Sequence, residues 1–186
     1  MTILIQLFEI ILLKRKPQDI TYDEYQCLVY AIASLTIGYI FTSLDSDWSQ
    51  PFFYSSVHVL AQSGIYFLIL ATNNKHNRFI QSYTAILGTS VILGIVILLI
   101  QYVPILNSFI LFFMIWQFYI TILITRVTLD CSTFKSILVT IAVSIFSIVF
   151  LLTISPNFKG EVKKKLTEAN IVLEKTRQLE QSKLAE

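Results

Sequence analysis

Charge is what this chain has least of: Asp, Glu, Lys and Arg together make up 14% of its 186 residues, against about 25% in an ordinary soluble domain. Two cysteines exclude a disulfide-stapled scaffold. Five glycines and four prolines exclude collagen-like or low-complexity disorder. A net charge of +2 makes no case for nucleic-acid binding. What remains is apolar: 55% hydrophobic residues and a mean hydropathy of +0.68. One water-soluble core cannot hide that much apolar surface, so the composition predicts an all-α polytopic membrane protein.

Four charge-free blocks order the chain. Residues 25–44, 52–71 and 136–155 are each 20 uncharged residues, one bilayer crossing apiece. Residues 79–125 are 47 residues without a formal charge. As one helix they would run about 70 Å, more than twice the hydrocarbon core. They must fold back, and Pro104 with Asn107 and Ser108 marks the turn. The predicted spans are therefore about 25–44, 52–71, 84–103, 108–125 and 136–155. Thr21 with Glu24 forms a capping-box pattern ahead of the first.

The two ends differ from this middle. In residues 1–19, Ile3, Leu4, Leu7, Ile10 and Ile11 recur at helical spacing, but 13 apolar residues give only about 20 Å of helix. Lys14, Arg15 and Lys16 follow the apolar stretch instead of preceding it, the reverse of a signal peptide. The pattern predicts an interfacial amphipathic helix with its basic cluster at the headgroups, or a helix packed against the bundle, broken at Pro17 and Asp19. Residues 20–155 form the transmembrane bundle. Residues 156–186 turn abruptly rich in Lys and Glu. Leu166, Ala169, Val172, Leu173 and Leu179 fall on one face there, forming either a partner surface or a solvated tail.

Orientation carries a conflict. Lys14, Arg15, Lys16, Lys75, Arg78, Arg126 and Lys135 all fall on one side of a five-span chain, which predicts a cytoplasmic N-terminus. The tail, on the opposite side, holds the other seven of 14 basic residues. A four-span alternative, with the second segment re-entrant, moves the tail inside. The clean loop alternation favours five.

Residues able to carry chemistry are few. Ser55, His58 and Gln62, at i, i+3 and i+7, share one face of the second span and should point into the bundle. They make either a polar intramembrane site or interhelical hydrogen bonds. The pairs Ser34/Gly38, Thr84/Gly88 and Ser90/Gly94 are small-xxx-small packing motifs, and Gln117 reads as packing too. Arg126 and Asp130 can pair at i,i+4. Cys27, Cys131, His58 and His76 match no standard metal-ligand spacing. No nucleophile elbow, phosphate-binding loop or paired-carboxylate motif appears, so neither enzymatic activity nor a cofactor is expected.

The second half resembles a Yip1-type domain. NRFIQSYTAILGTSV (77–91) is similar to that family's entry into its third span. SFILFFMIWQFYITILITRVTLDCSTFKSILVTIAVSIFSIVFL (108–151) resembles its aromatic-rich span with Trp116, its Arg126 loop, and the Ser132-Thr133-Phe134-Lys135-Ser136 start of the last span. The break Lys16-Pro17-Gln18-Asp19 ahead of span one also fits. The resemblance covers about residues 5–155. It implies five helices, a cytoplasmic N-terminus, no catalytic residues and, for a short member of this kind, a bacterial inner membrane. Eukaryotic relatives act in vesicle trafficking with small GTPases; their long N-terminal region has no counterpart here, and the Lys/Glu tail is an addition to the pattern. The expected function is a non-enzymatic membrane protein that organises or supports an assembly, with lipid and a membrane protein or a second copy as partners. Two alternatives are a small channel or transporter built on the second-span stripe, and a membrane-shaping protein that uses the N-terminal helix as a wedge.

Overall fold

A computed structural model describes residues 3–20, 22–44, 50–155, 160, 162–167 and 170. The expected Thr21 cap, and Ala169, Val172, Leu173 and Leu179 of the tail face, lie outside these residues. Leu166 lies within them, in a short helical stretch, and is exposed.

The described residues are helical, without strands. Helix α1 spans Ile3–Ile11, α2 Glu24–Leu44, α3 Pro51–Thr72, α4 Phe79–Gln101, α5 Ser108–Leu129 and α6 Thr133–Ile154. Helices α2 to α6 are long and apolar enough to cross a membrane. The second segment, where a four-span reading needed a re-entrant loop, is one continuous helix of 22 residues. At 1.5 Å per residue it measures about 33 Å, a full crossing.

Two span boundaries differ from the sequence-based expectation. The third span begins at Phe79, not Thr84, because nothing between Arg78 and Thr84 opposes a helix, and the Ser82 hydroxyl donates back to the Arg78 carbonyl (2.7 Å). The fourth runs through Arg126 to Leu129, since a charge in the last turn of a span reaches the interface without breaking the helix. Asp130 stops it by adopting the left-handed conformation (φ 51°), and its N–H bonds back to the last turn. Asp23 caps α2, its carboxylate accepting from the Gln26 N–H (3.2 Å).

The five long helices close into a ring. Around it α2 touches α4, α4 touches α5, α5 touches α6, α6 touches α3, and α3 returns to α2. The small-residue pairs sit where their spacing predicts close approach, and in each case a side chain fills the glycine notch. A Cβ on Gly38 would stand 3.1 Å from Ser55 Oγ, and one on Gly94 would stand 2.9 Å from Ile37 Cγ2.

Helix α1 covers the flank of α4. Ile3, Gln6, Leu7, Ile10 and Ile11 are buried at i, i+3, i+4, i+7 and i+8, while Leu4, Ile5 and Phe8 face outward. Leu7, fully buried, presses on Gly88, seven residues or about 10 Å along α4 from Gln81. The helix thus packs on the bundle by one face and keeps an apolar outer face. Leu13, in the left-handed conformation (φ 59°), ends its last turn. Of the basic cluster, Lys14 and Lys16 are exposed, whereas Arg15 turns inward to Glu9 (3.1 Å) and the Asp19 carbonyl (3.2 Å).

One end of the ring is stitched across three segments. Gln18 donates to the Val127 carbonyl (3.0 Å) and Gln81 to the Ile20 carbonyl (3.1 Å). The expected Arg126–Asp130 pair gives way to a clamp between loops: Asp130 accepts from Lys75 Nζ and Arg78 NH1, both at 2.8 Å. The left-handed turn aims the carboxylate at the loop before α4, away from its own helix. Arg78 also donates to the Thr128 carbonyl (3.0 Å).

Candidate functional site

The ring encloses a cavity of about 480 Å³, and every one of its five helices contributes to the wall. Ser34 comes from α2; His58, Val59, Gln62 and Tyr66 from α3; and Tyr83, Ile86 and Ser90 from α4. Met114, Gln117, Phe118, Thr121 and Thr125 come from α5, and Thr140, Val143 and Ser144 from α6. Most of these are hydroxyl or amide side chains, and none carries a full charge. The convergence follows from helical spacing. Gln117, Thr121 and Thr125 recur every fourth residue on α5, as do Thr140 and Ser144 on α6, so each set lines one face.

The second-span stripe divides. His58 and Gln62 open onto the cavity, His58 as an exposed side chain. Ser55 does not reach it. Its hydroxyl donates to the Pro51 carbonyl (3.0 Å) and its side chain fills the notch at Gly38, so it serves the α2–α3 contact. Ser55 instead borders a second cavity of about 410 Å³, which Ser34, His58, Val59 and Ser90 share with the first. This second chamber extends to Phe41, Thr42, Tyr54 and Leu151, toward the end of the ring opposite the clamp. His58 therefore stands at the junction of two chambers stacked along the bundle.

Aromatic rings close the clamp end. Tyr83 stacks on Phe79 (5.1 Å between centroids, 13° between planes) and on Tyr66 (6.2 Å), with Phe67 edge-on to Phe79 (5.3 Å). Beyond Phe79 lies the Lys75–Asp130–Arg78 clamp. Hydrogen bonds from Lys75 and then Arg78 hold the Asp130 carboxyl below its ordinary value, so it stays ionised.

Few of the wall's polar groups join helices to one another. Gln117 Nε2 donates across to Ser90 Oγ (2.6 Å), and the Tyr83 hydroxyl donates to the Val59 carbonyl (3.1 Å). Thr121, Thr140 and Ser144 each donate to a carbonyl one turn back in their own helix, at 2.9, 2.9 and 3.0 Å. Gln117 Oε1 and the Tyr66 hydroxyl are buried without a partner. Sequence reasoning took Gln117 and Ser90 for packing, which their mutual bond supports, and singled out neither Thr121, Thr125, Thr140 nor Ser144. Their four-residue spacing was the available signal.

Among the described residues no three of His, Cys, Asp and Glu gather into a metal-binding group. Cys27 is buried and Cys131 half-buried, both as free thiols.

Five apolar helices around a cavity lined by uncharged polar and apolar side chains define an integral membrane protein of the all-α class. Comparison with protein-family models, with curated proteins and with solved structures gives no match.

Proposed function

We propose that this protein takes a small polar solute into the cavity of its helix ring and conducts or carries it across the membrane. The observation that supports this reading is the wall itself. Were these polar groups interhelical glue, they would pair across helices, as Gln117 and Ser90 do. Thr121, Thr140 and Ser144 instead satisfy their protons within their own helices, on faces that line the cavity. Polar groups kept inside a membrane bundle around a void are costly unless something polar fills it. His58, between the two chambers, and Gln62 are the residues a solute meets.

The test is flux in proteoliposomes of the purified protein. Small polar solutes should cross faster than in empty vesicles. His58→Ala and Gln62→Ala should each change that rate, while Ser56→Ala, at a hydroxyl that lines neither chamber, should leave it alone. No flux above empty vesicles for ions, amines and polyols alike would sink the reading.

A second reading follows the Yip1-type resemblance: a bacterial inner-membrane protein, N-terminus cytoplasmic, that supports a membrane assembly. The five long helices and the packed helix ahead of them favour it. A lone, monodisperse protein after mild extraction from its native membrane would count against it. A reporter fused after Glu186 tests the orientation: five crossings put it opposite the N-terminus.

A further inference from the structure

The proton bookkeeping of the cavity wall says what kind of solute suits it. Tyr83, Thr121, Thr140 and Ser144 have already spent their O–H donors on backbone carbonyls, so each offers the cavity only lone pairs. Gln117 has one amide proton committed to Ser90, and its Oε1 is buried and unpartnered. The Tyr66 hydroxyl, on a side chain only 3% exposed, is also unpartnered. Among the described residues no Lys, Arg or Trp, the side chains that can only donate, lines the cavity. Where α5 meets α6 the wall therefore presents acceptors, while His58, Gln62 and the Tyr66 hydroxyl can also donate elsewhere around it; the complement of the α5–α6 face is a donor.

Charge narrows the class. A cation meets no positive side chain among the described lining residues. Among the described residues no carboxylate lines the cavity to compensate a second charge. The cavity volume lies within the range of sites for small organic ligands and far exceeds a bare ammonium ion. Val59, Ile86 and Val143 supply an apolar surface for a carbon body.

We propose that the cavity binds a small organic monoamine in its protonated form. Its ammonium group would sit against the oxygen ladder of Gln117 and Thr121 on α5 and Thr140 and Ser144 on α6. This rests on reading the cavity as a solute site, and adds the class of solute.

The test is thermal unfolding of the purified protein in nanodiscs at neutral pH and fixed ionic strength. The probes are n-butylamine hydrochloride, 1-butanol and sodium butyrate. Butylammonium should raise the midpoint with a saturable dose dependence, and the neutral and anionic isosteres should not. Thr121→Val with Thr140→Val keeps side-chain shape and removes two acceptors; the half-saturating concentration should rise about tenfold or more. Thr121→Ser with Thr140→Ser restores the oxygens and should bind as the parent does. A saturable shift with butanol or butyrate equal to that with butylammonium overturns the proposal, as does the absence of any butylammonium shift. Unaltered binding in the folded valine variant does so too. Should that variant fail to fold, the three probes on the parent protein decide alone. Saturable butylammonium binding without flux of any solute would sink the passage reading and leave this one standing. Flux confined to anions or neutral solutes would do the opposite.

Discussion

Substituting Gly88 by alanine is the most direct test of how the N-terminal helix is held. The added Cβ would lie 2.5 Å from Leu7 Cδ1 and 2.7 Å from Cδ2. Ordinary carbon–carbon contact is about 3.5–4.0 Å, so Leu7 or all of α1 must retreat by about 1 Å. The terminus of a leucine is flexible, but this one is completely buried, so its turning must displace neighbouring side chains. The cost expected for such overpacking is about 1–3 kcal/mol. Only nine residues long, α1 should yield before α4 does. Thermal unfolding in nanodiscs, with hydrogen exchange of residues 3–11 as a local readout, should show a lowered midpoint and faster exchange confined to α1. The cycle with Leu7→Ala makes the test specific. Each single change destabilises, one by crowding and the other by leaving a void, and the double variant should lose less than their sum, with a coupling of about 0.5–3 kcal/mol. Gly64→Ala is the control, since a Cβ there meets nothing within 4 Å. A Gly88→Ala protein with parental midpoint and parental protection of α1 would refute the packing argument.

The clamp makes a pH-dependent contribution. Because the folded-state pKa of Asp130 is depressed, its stabilisation is present above the unfolded value and lost as pH falls through the folded one. Asp130→Asn should therefore lower the midpoint at pH 7 and flatten its decline between pH 5 and 3; an unchanged acid slope would count against the clamp. Arg126→Gln should stay within about 0.5 kcal/mol of the parent in the same melt, since Asp130 is engaged by Lys75 and Arg78 instead. Ser90→Ala removes the acceptor of Gln117 and should cost about 0.6 kcal/mol, at most about 1.7, the scale of interhelical hydrogen bonds in membranes.

Much of this fold is legible in the sequence because hydrocarbon imposes a crude rule. Uncharged blocks of about 20 residues cross, and the charges between them mark the turns. The rule blurs where a span is longer than the core requires. The sequence reading starts the third span at Thr84, although the helix already begins at Phe79. Counting forward to Arg126 ended the fourth one turn early. The N-terminal helix was legible as amphipathic, but the sequence left its inner face without a partner, because nothing in residues 1–16 points to Gly88. The site was half legible. His58 and Gln62 stood out as polar residues in an apolar run and do reach the cavity, but the same argument enlisted Ser55, which spacing cannot tell from a helix contact. The threonines and serines of α5 and α6 pass unnoticed because each can hide its proton in its own helix. Their significance arises only when the two consecutive helices α5 and α6 turn them toward one void.

The order of helices around the ring bears on how the protein is made. Chain order brings α2 to α5 into the membrane first, and these can form an open arc with α3 at one edge and α5 at the other. Helix α6 packs along both edges, whereas α4 meets α3 mainly through its Phe79 and Tyr83 rings at the clamp end. Until that last segment leaves the ribosome, His58 and Gln62 on one lip of the arc and Gln117 and Thr121 on the other face a gap in the wall, open to acyl chains. Helix α6 thus acts as a keystone. A nascent chain stalled before Thr133 would present a polar flank to lipid, the kind of surface that holds insertion machinery or invites quality-control proteolysis. Emergence of α6 and sealing of the interior are then one event.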